Sequence, residues 1–114
     1  MYKTASADLI VSLLGVLDDF ERALKLLEAK EGIKDDPVFQ GINLIYTKLK
    51  NILVQKGLKE IDAIGKEFDT DFHEAITNIP AESEEMKGKI IDVTEKGYLL
   101  NEKVIRYAKV VVGL

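Results

Sequence analysis

The spacing of apolar residues changes once along this chain, from steps of three and four to steps of two, and the change falls at Lys56-Gly57. No single kind of secondary structure serves both periods, because a helix returns a side chain to the same face every 3.6 residues and a strand every second one. The chain therefore reads as α+β, with a helical hairpin in residues 1–57 and a small all-β domain in residues 58–114.

In the helical half, Leu9, Leu13, Val16/Leu17, Phe20, Leu24 and Leu27 step by three or four, and Ile10, Leu14 and Ala23 widen the stripe. Glu31-Gly32 is a stop signal, since glycine enters the left-handed conformation that closes a helix. After a polar connector at 33–36, Asp36-Pro37 starts a second helix: the carboxylate accepts from free backbone N–H groups, and proline forfeits nothing at the first helical position. That helix turns Phe39, Ile42, Ile45/Tyr46, Leu49 and Ile52/Leu53 inward and ends at Lys56-Gly57. The two helices come to roughly 40 Å and 30 Å at 1.5 Å per residue. A lone hairpin of this size cannot enclose a core. A second copy, related by a two-fold axis, would complete a four-helix bundle with Leu13, Leu17, Phe20, Leu24, Ile42, Ile45, Leu49 and Ile52 in its core. The other solution is for the carboxy-terminal half to cover the hairpin. Gly15 and Gly41 each cost a helix interior about 1 kcal/mol relative to alanine. Either another backbone approaches closely there, or the glycines are tolerated imperfections.

Past residue 57 the stretches 58–63, 75–79 and 89–95 alternate, and 98–100 and 104–112 are rich in β-formers. Turn residues separate them at 63–65, 80–88, 96–97 and 101–102. This spacing predicts a small antiparallel sheet or partial barrel, with the acidic run Glu82-Ser83-Glu84-Glu85 as a solvated tip.

Several classes of function fall away on composition and chemistry. A net charge of -4 repels phosphate backbones, which disfavours general nucleic-acid binding. The absence of cysteine removes disulfides and thiolate metal sites and suits a reducing compartment. No apolar run approaches the roughly 20 residues that span a bilayer, and Asp8 interrupts any secretory leader, so a cytoplasmic protein with no membrane partner is expected. His73, the single histidine, stands near Asp69, Asp71 and Glu74, yet one imidazole beside flexible carboxylates is a poor metal or acid/base site. The simpler reading is a turn at 68–72 with His73 packing where strand pairing begins. Asp18-Asp19 with Glu21-Arg22 reads as a solvated helix face, and Ser6, Ser12 and Ser83 have no local histidine. No catalytic residue, cofactor or metal is expected.

One extended pattern goes further: Phe68-Asp69, His73-Glu74-Ala75-Ile76, Gly97-Tyr98, Glu102, Ile105-Arg106, Ala108, Val110 and Val112. It resembles the β-wing signature of the GrpE family, the nucleotide-exchange factors of DnaK-type chaperones. The run from Leu13 to Leu24 resembles the family's first bundle helix, and Phe39-Gln40-Gly41-Ile42 the start of its second. Two departures are Gly15 and Thr70, where the family commonly has proline. The resemblance also implies a long helix ahead of the bundle, where only residues 1–7 stand here, so the chain reads as a truncated core. It further implies a homodimer in a bacterial cytoplasm whose β-wing grips the nucleotide-binding domain of a DnaK-type chaperone and holds its cleft open, so that ADP escapes. By position, the implied contacts are Gly41, Tyr98, Asn101, Lys103, Arg106 and Val112. Each has a structural alternative: Tyr98 as core, Val112 as sheet interior, Arg106 in a local salt bridge. The rival function is a dimeric interaction or scaffold domain without exchange activity.

Overall fold

The structure, a computed structural model, describes residues 2–114, with side chains from residue 7 onward. Met1, and the side chains of residues 2–6 with the Ser6 hydroxyl among them, lie outside what is described. The chain divides into two units between Lys56 and Gly57.

Unit 1 is two helices, α1 (Tyr2–Glu28) and α2 (Pro37–Gln55). Helix α1 ends three residues before Glu31, in a turn closed by Ala29 N–H to Leu26 O and Lys30 N–H to Leu27 O. Gly32 then takes φ +75°, and residues Ile33–Asp35 form a 3₁₀ turn. Asp36 caps α2 as its type dictates: the carboxylate accepts from the Val38 N–H at 2.8 Å, with Pro37 at the first helical position. Ile10, Leu14, Leu17 and Leu24 are buried along α1, and Phe39 and Leu53 along α2, with Ile42, Tyr46 and Leu49 half-buried between them. Phe20 and Tyr46 bring their rings to 6.1 Å between centroids, and the Tyr46 hydroxyl donates to the Glu21 carboxylate. The acidic face of α1 is thus only partly the solvated one expected: Arg22 pairs with Asp19 in the open, but Glu21 turns to α2.

Unit 2 holds two three-stranded sheets. One has the order β1-β4-β5, from β1 (Leu58–Glu60), β4 (Tyr98–Leu100) and β5 (Lys103–Arg106), all antiparallel. The other has the order β2-β6-β3, from β2 (His73–Ile79), β3 (Ile90–Glu95) and β6 (Ala108–Gly113). Here the expected all-antiparallel sheet is corrected, because β2 runs parallel to β6 while β3 is antiparallel to it. A parallel neighbour requires a long crossover, and the whole stretch from β3 to β5 supplies it. Central β6 is buried at Ala108 and along Val110, Val111, Val112 and Gly113, as expected of a strand flanked on both sides. Its side chains meet Ala63 and Ile90, with Phe68 and Val93 packed against them. Gly97 is required by close approach, since a Cβ there would stand 2.3 Å from the Ala108 nitrogen. The acidic tip carries a 3₁₀ turn, Glu84–Met86, and an exposed Lys87–Glu84 pair at 2.9 Å.

Candidate functional site

Three surfaces gather the residues singled out by sequence. The first is the β4–β5 hairpin. Leu100 pairs with Lys103, so only Asn101 and Glu102 make the turn, at φ +49° and +72°. Left-handed geometry at both positions is what right-twisted strands need from a two-residue loop. The Asn101 N–H donates to Gly57 O at 3.0 Å, and its side chain lies against the Gly57 Cα, where φ is +104°. Asn101 is therefore both exposed and anchored. Lys103, next along, is exposed and has no acidic partner among the described residues.

Arg106 is held differently. Its Nε and Nη2 donate to Lys96 O at 2.9 and 2.7 Å, its Nη1 lies 3.7 Å from Glu95 Oε1, and its guanidinium sits 5.4 Å from the Tyr98 ring centroid. Lys109 reaches the other oxygen of Glu95 at 3.5 Å. Arg106 thus clamps the β4–β5 hairpin to the loop at 96–97, a geometry that favours a planar multi-donor group over an ammonium. Tyr98 is 1% exposed and Val112 is buried in the central strand, so the side chains of both face the interior of unit 2. Of the three wing residues other than these two, Asn101 and Lys103 are brought together at the surface, and Arg106 stands behind them as a strut.

The second surface is on unit 1. Val38, Ile45 and Ile52 recur every seven residues on α2 and are 69%, 61% and 43% exposed. On α1, Leu9 and Val16 are exposed at the same step, with Leu13, Phe20 and Leu27 half-buried beside them. Each helix carries two apolar rows: an inner one, which holds Leu17 and Leu24 of the expected bundle core, and an outer one, which holds Ile45 and Ile52. A Cβ on Gly41 or Gly15 would meet nothing within 4 Å, so no backbone of this chain approaches either glycine.

The third is the edge of β2, which pairs with β6 on one side only and leaves Ile76 and Ile79 exposed, with Phe72 and Tyr107 exposed nearby in sequence to its start and to β6. Sequence reasoning did not mark these as surface. A both-sided run such as His73 to Ile79 gives no signal of which neighbour it lacks. Among the described residues no group of three or more metal-ligating side chains gathers, and no helix is long and apolar enough to cross a membrane.

The family model for GrpE matches residues 1–113. The chain is similar to a protein named "Protein GrpE" from Bacteroides thetaiotaomicron, 53% identical over 104 residues that cover 91% of this chain and 53% of that one. It is similar also to proteins of the same name from Parabacteroides distasonis, at 48% identity over 99% of this chain and 57% of the relative, and from Brachyspira hyodysenteriae, at 40% identity over 97% and 55%. The chain spans about half the length of the curated relatives it matches.

Proposed function

Because this chain belongs to the GrpE family, we propose that it acts as a nucleotide-exchange factor: it binds the nucleotide-binding domain of a DnaK-type chaperone and promotes ADP release. The activity makes and breaks no covalent bond. It requires that the factor bind the open form of the chaperone's cleft more tightly than the closed form, since equal affinity for both shifts nothing. Moving such an equilibrium from 1:99 to 99:1 takes a preference of about 10⁴-fold, or roughly 5.5 kcal/mol. Weaker ADP binding follows from linkage.

The observation that carries this reading is the division of labour on the β4–β5 hairpin. A grip that must discriminate two shapes needs a rigid base and a few free polar groups, because each mobile side chain ordered on binding subtracts from affinity. Arg106 and Tyr98 supply the base, Lys103 the free cation and Asn101 an anchored amide. Val112 belongs to the buried core of the other sheet, around Ala63 and Ile90. Gly41, with open space over its Cα, suits close approach by a partner backbone.

A second copy of the chain is the occupant we assign to the outer apolar rows of unit 1, giving a homodimeric four-helix bundle. Full burial of one such side chain contributes about 1.5–3 kcal/mol, and Leu9, Val16, Val38, Ile45 and Ile52 all remain open on one hairpin. The compartment that fits is a bacterial cytoplasm, and no nucleic-acid or membrane partner is proposed. The test is the off-rate of fluorescent ADP from a DnaK-type chaperone with and without this protein. Acceleration at micromolar concentration is expected. Unchanged release despite binding would leave the protein a dimeric interaction domain.

A further inference from the structure

The sheet β2-β6-β3 has two outer edges, and the fold treats them differently. Outside β3, the chain at 65–68 closes the edge: the Gly65 N–H donates to Ile90 O at 2.9 Å, the Ile90 N–H to Lys66 O at 2.9 Å, and the Phe68 N–H to Gly88 O at 3.2 Å. Outside β2 nothing comparable stands among the described residues, where the bonds to the backbone of 74–79 come from β6 and its continuation at Leu114. The direction of the open groups follows from two bonds. Phe72 O accepts from the Ala108 N–H at 3.1 Å and Ile79 O from the Leu114 N–H at 2.8 Å, so both residues face β6. Backbone groups alternate sides along a strand, which turns Ala75 and Asn78 outward on either side of the bulge at Ile76.

From Glu74 to Ile79 this strand is exposed on both faces as well as along its edge. Ile76 and Ile79 stand open, and the stretch 75–79 carries no charge. An unpaired, uncharged and apolar edge is a template for another strand. The surroundings carry charge of one sign only, since residues 67–86 hold seven acids and no lysine or arginine. Asp71 and Glu74 lie at one end of the strand and Glu82 just past the other, all exposed and without an ion pair among the described residues. Lys109 stands opposite Glu74 in the ladder but reaches Glu95 instead, at 3.5 Å.

We propose that the outer edge of β2 is a docking site for an extended segment of a partner protein, one with apolar residues at its centre and a lysine or arginine at each end. The segment adds a strand to the sheet by bonding to the backbone of Ala75 and Asn78, and its end charges meet Asp71 and Glu74 on one side and Glu82 on the other. A second copy of this chain is the wrong occupant. Two β2 strands paired antiparallel about a two-fold axis set Asp71 and Glu74 of one against Glu82 of the other, and like charges facing across strands are destabilising. The acids thus select a cationic partner and keep the edge from pairing with itself. The proposal does not depend on nucleotide exchange, and its test needs no chaperone.

The test is titration of the ¹⁵N-labelled full chain with acetyl-Lys-Thr-Val-Thr-Ile-Thr-Lys-amide, with the backbone amides followed by NMR. Saturable shifts centred on 74–79 are expected, with hydrogen exchange slowed at the Ala75 and Asn78 amides. The same peptide with glutamate in place of both lysines should bind about tenfold more weakly. Asn78→Pro removes an outward donor and leaves the bonds to β6 in place, so it should weaken the lysine peptide to a similar degree. The double variant Glu74→Lys with Glu82→Lys should do so through exposed side chains alone, which keeps the test sound if proline disturbs the strand. A lysine peptide that leaves β2 unmoved, that binds no better than its glutamate counterpart, or that binds the charge-reversed variant undiminished overturns the site. Exchange protection of Ala75 and Asn78 that rises with the concentration of the protein alone would assign the edge to a second copy, and overturns it too.

Discussion

Glu102 holds φ +72° in a turn where both residues are left-handed, a conformation that costs an ordinary L-residue about 1–2 kcal/mol. Glu102→Gly relieves this, and the unfolding temperature of unit 2 should rise by roughly 4–8 °C per kcal/mol recovered. A fall would mean that the Glu102 side chain contributes something beyond the turn. Gly97→Ala should act in the opposite direction, by roughly 1–3 kcal/mol, because the added methyl meets the backbone of Ala108. The two cations of β5 separate by the same kind of measurement. Arg106→Ala removes two donations to Lys96 O and the contact with Glu95, so unit 2 should lose roughly 1–3 kcal/mol in denaturant melts. Lys103→Ala should leave stability within about 0.5 kcal/mol and reduce the acceleration of ADP release. If Lys103→Ala destabilises the wing as much as Arg106→Ala, the assignment of free cation and strut is wrong. Three apart on one regular strand, these two basic residues would fall on opposite faces, but the sequence does not say which face is covered. Their difference comes from the Lys96 carbonyl and the Tyr98 ring, which the register of β4 brings under one and not the other.

At the scale of elements, the helices are legible because their signals are local. Asp36-Pro37 caps α2 as its residue types dictate, whereas Gly32 takes the left-handed conformation at the start of the 3₁₀ turn, after α1 has already closed at Ala29 and Lys30. Which apolar row faces inward is a different matter. Ile45 and Tyr46 are adjacent in sequence and equally consistent with an inward position, but Tyr46 meets Phe20 and Glu21 while Ile45 stays exposed. Replacing Ile45 and Ile52 together with Asp should therefore leave the inner row intact and abolish self-association, measured by sedimentation. A dimer that survives would remove the outer rows from the interface. Gly41→Ala should stabilise α2 by about 1 kcal/mol, since the methyl meets nothing in this chain, and should weaken binding to the chaperone where a partner backbone takes that space.

For the whole molecule, the two units carry different debts to association. Unit 2 has its own buried cluster around β6, whereas unit 1 leaves an apolar row on each helix in water. Thermal melts should show this as a helical transition that moves up with protein concentration and a β transition that does not. A helical transition independent of concentration would argue against a second copy. The sequence by itself determined the kinds of element, their turns and caps, and the long motif that marks the family, since all of these act through nearest neighbours or through residue identity at set intervals. Only the tertiary structure decided that β2 lies parallel to β6, that Tyr98 and Val112 face inward, that Arg106 is a clamp, and that the His73 ring accepts from the Asp69 N–H. Those outcomes depend on which distant segments meet, and a period of two or of 3.6 specifies the face of an element without naming its neighbour.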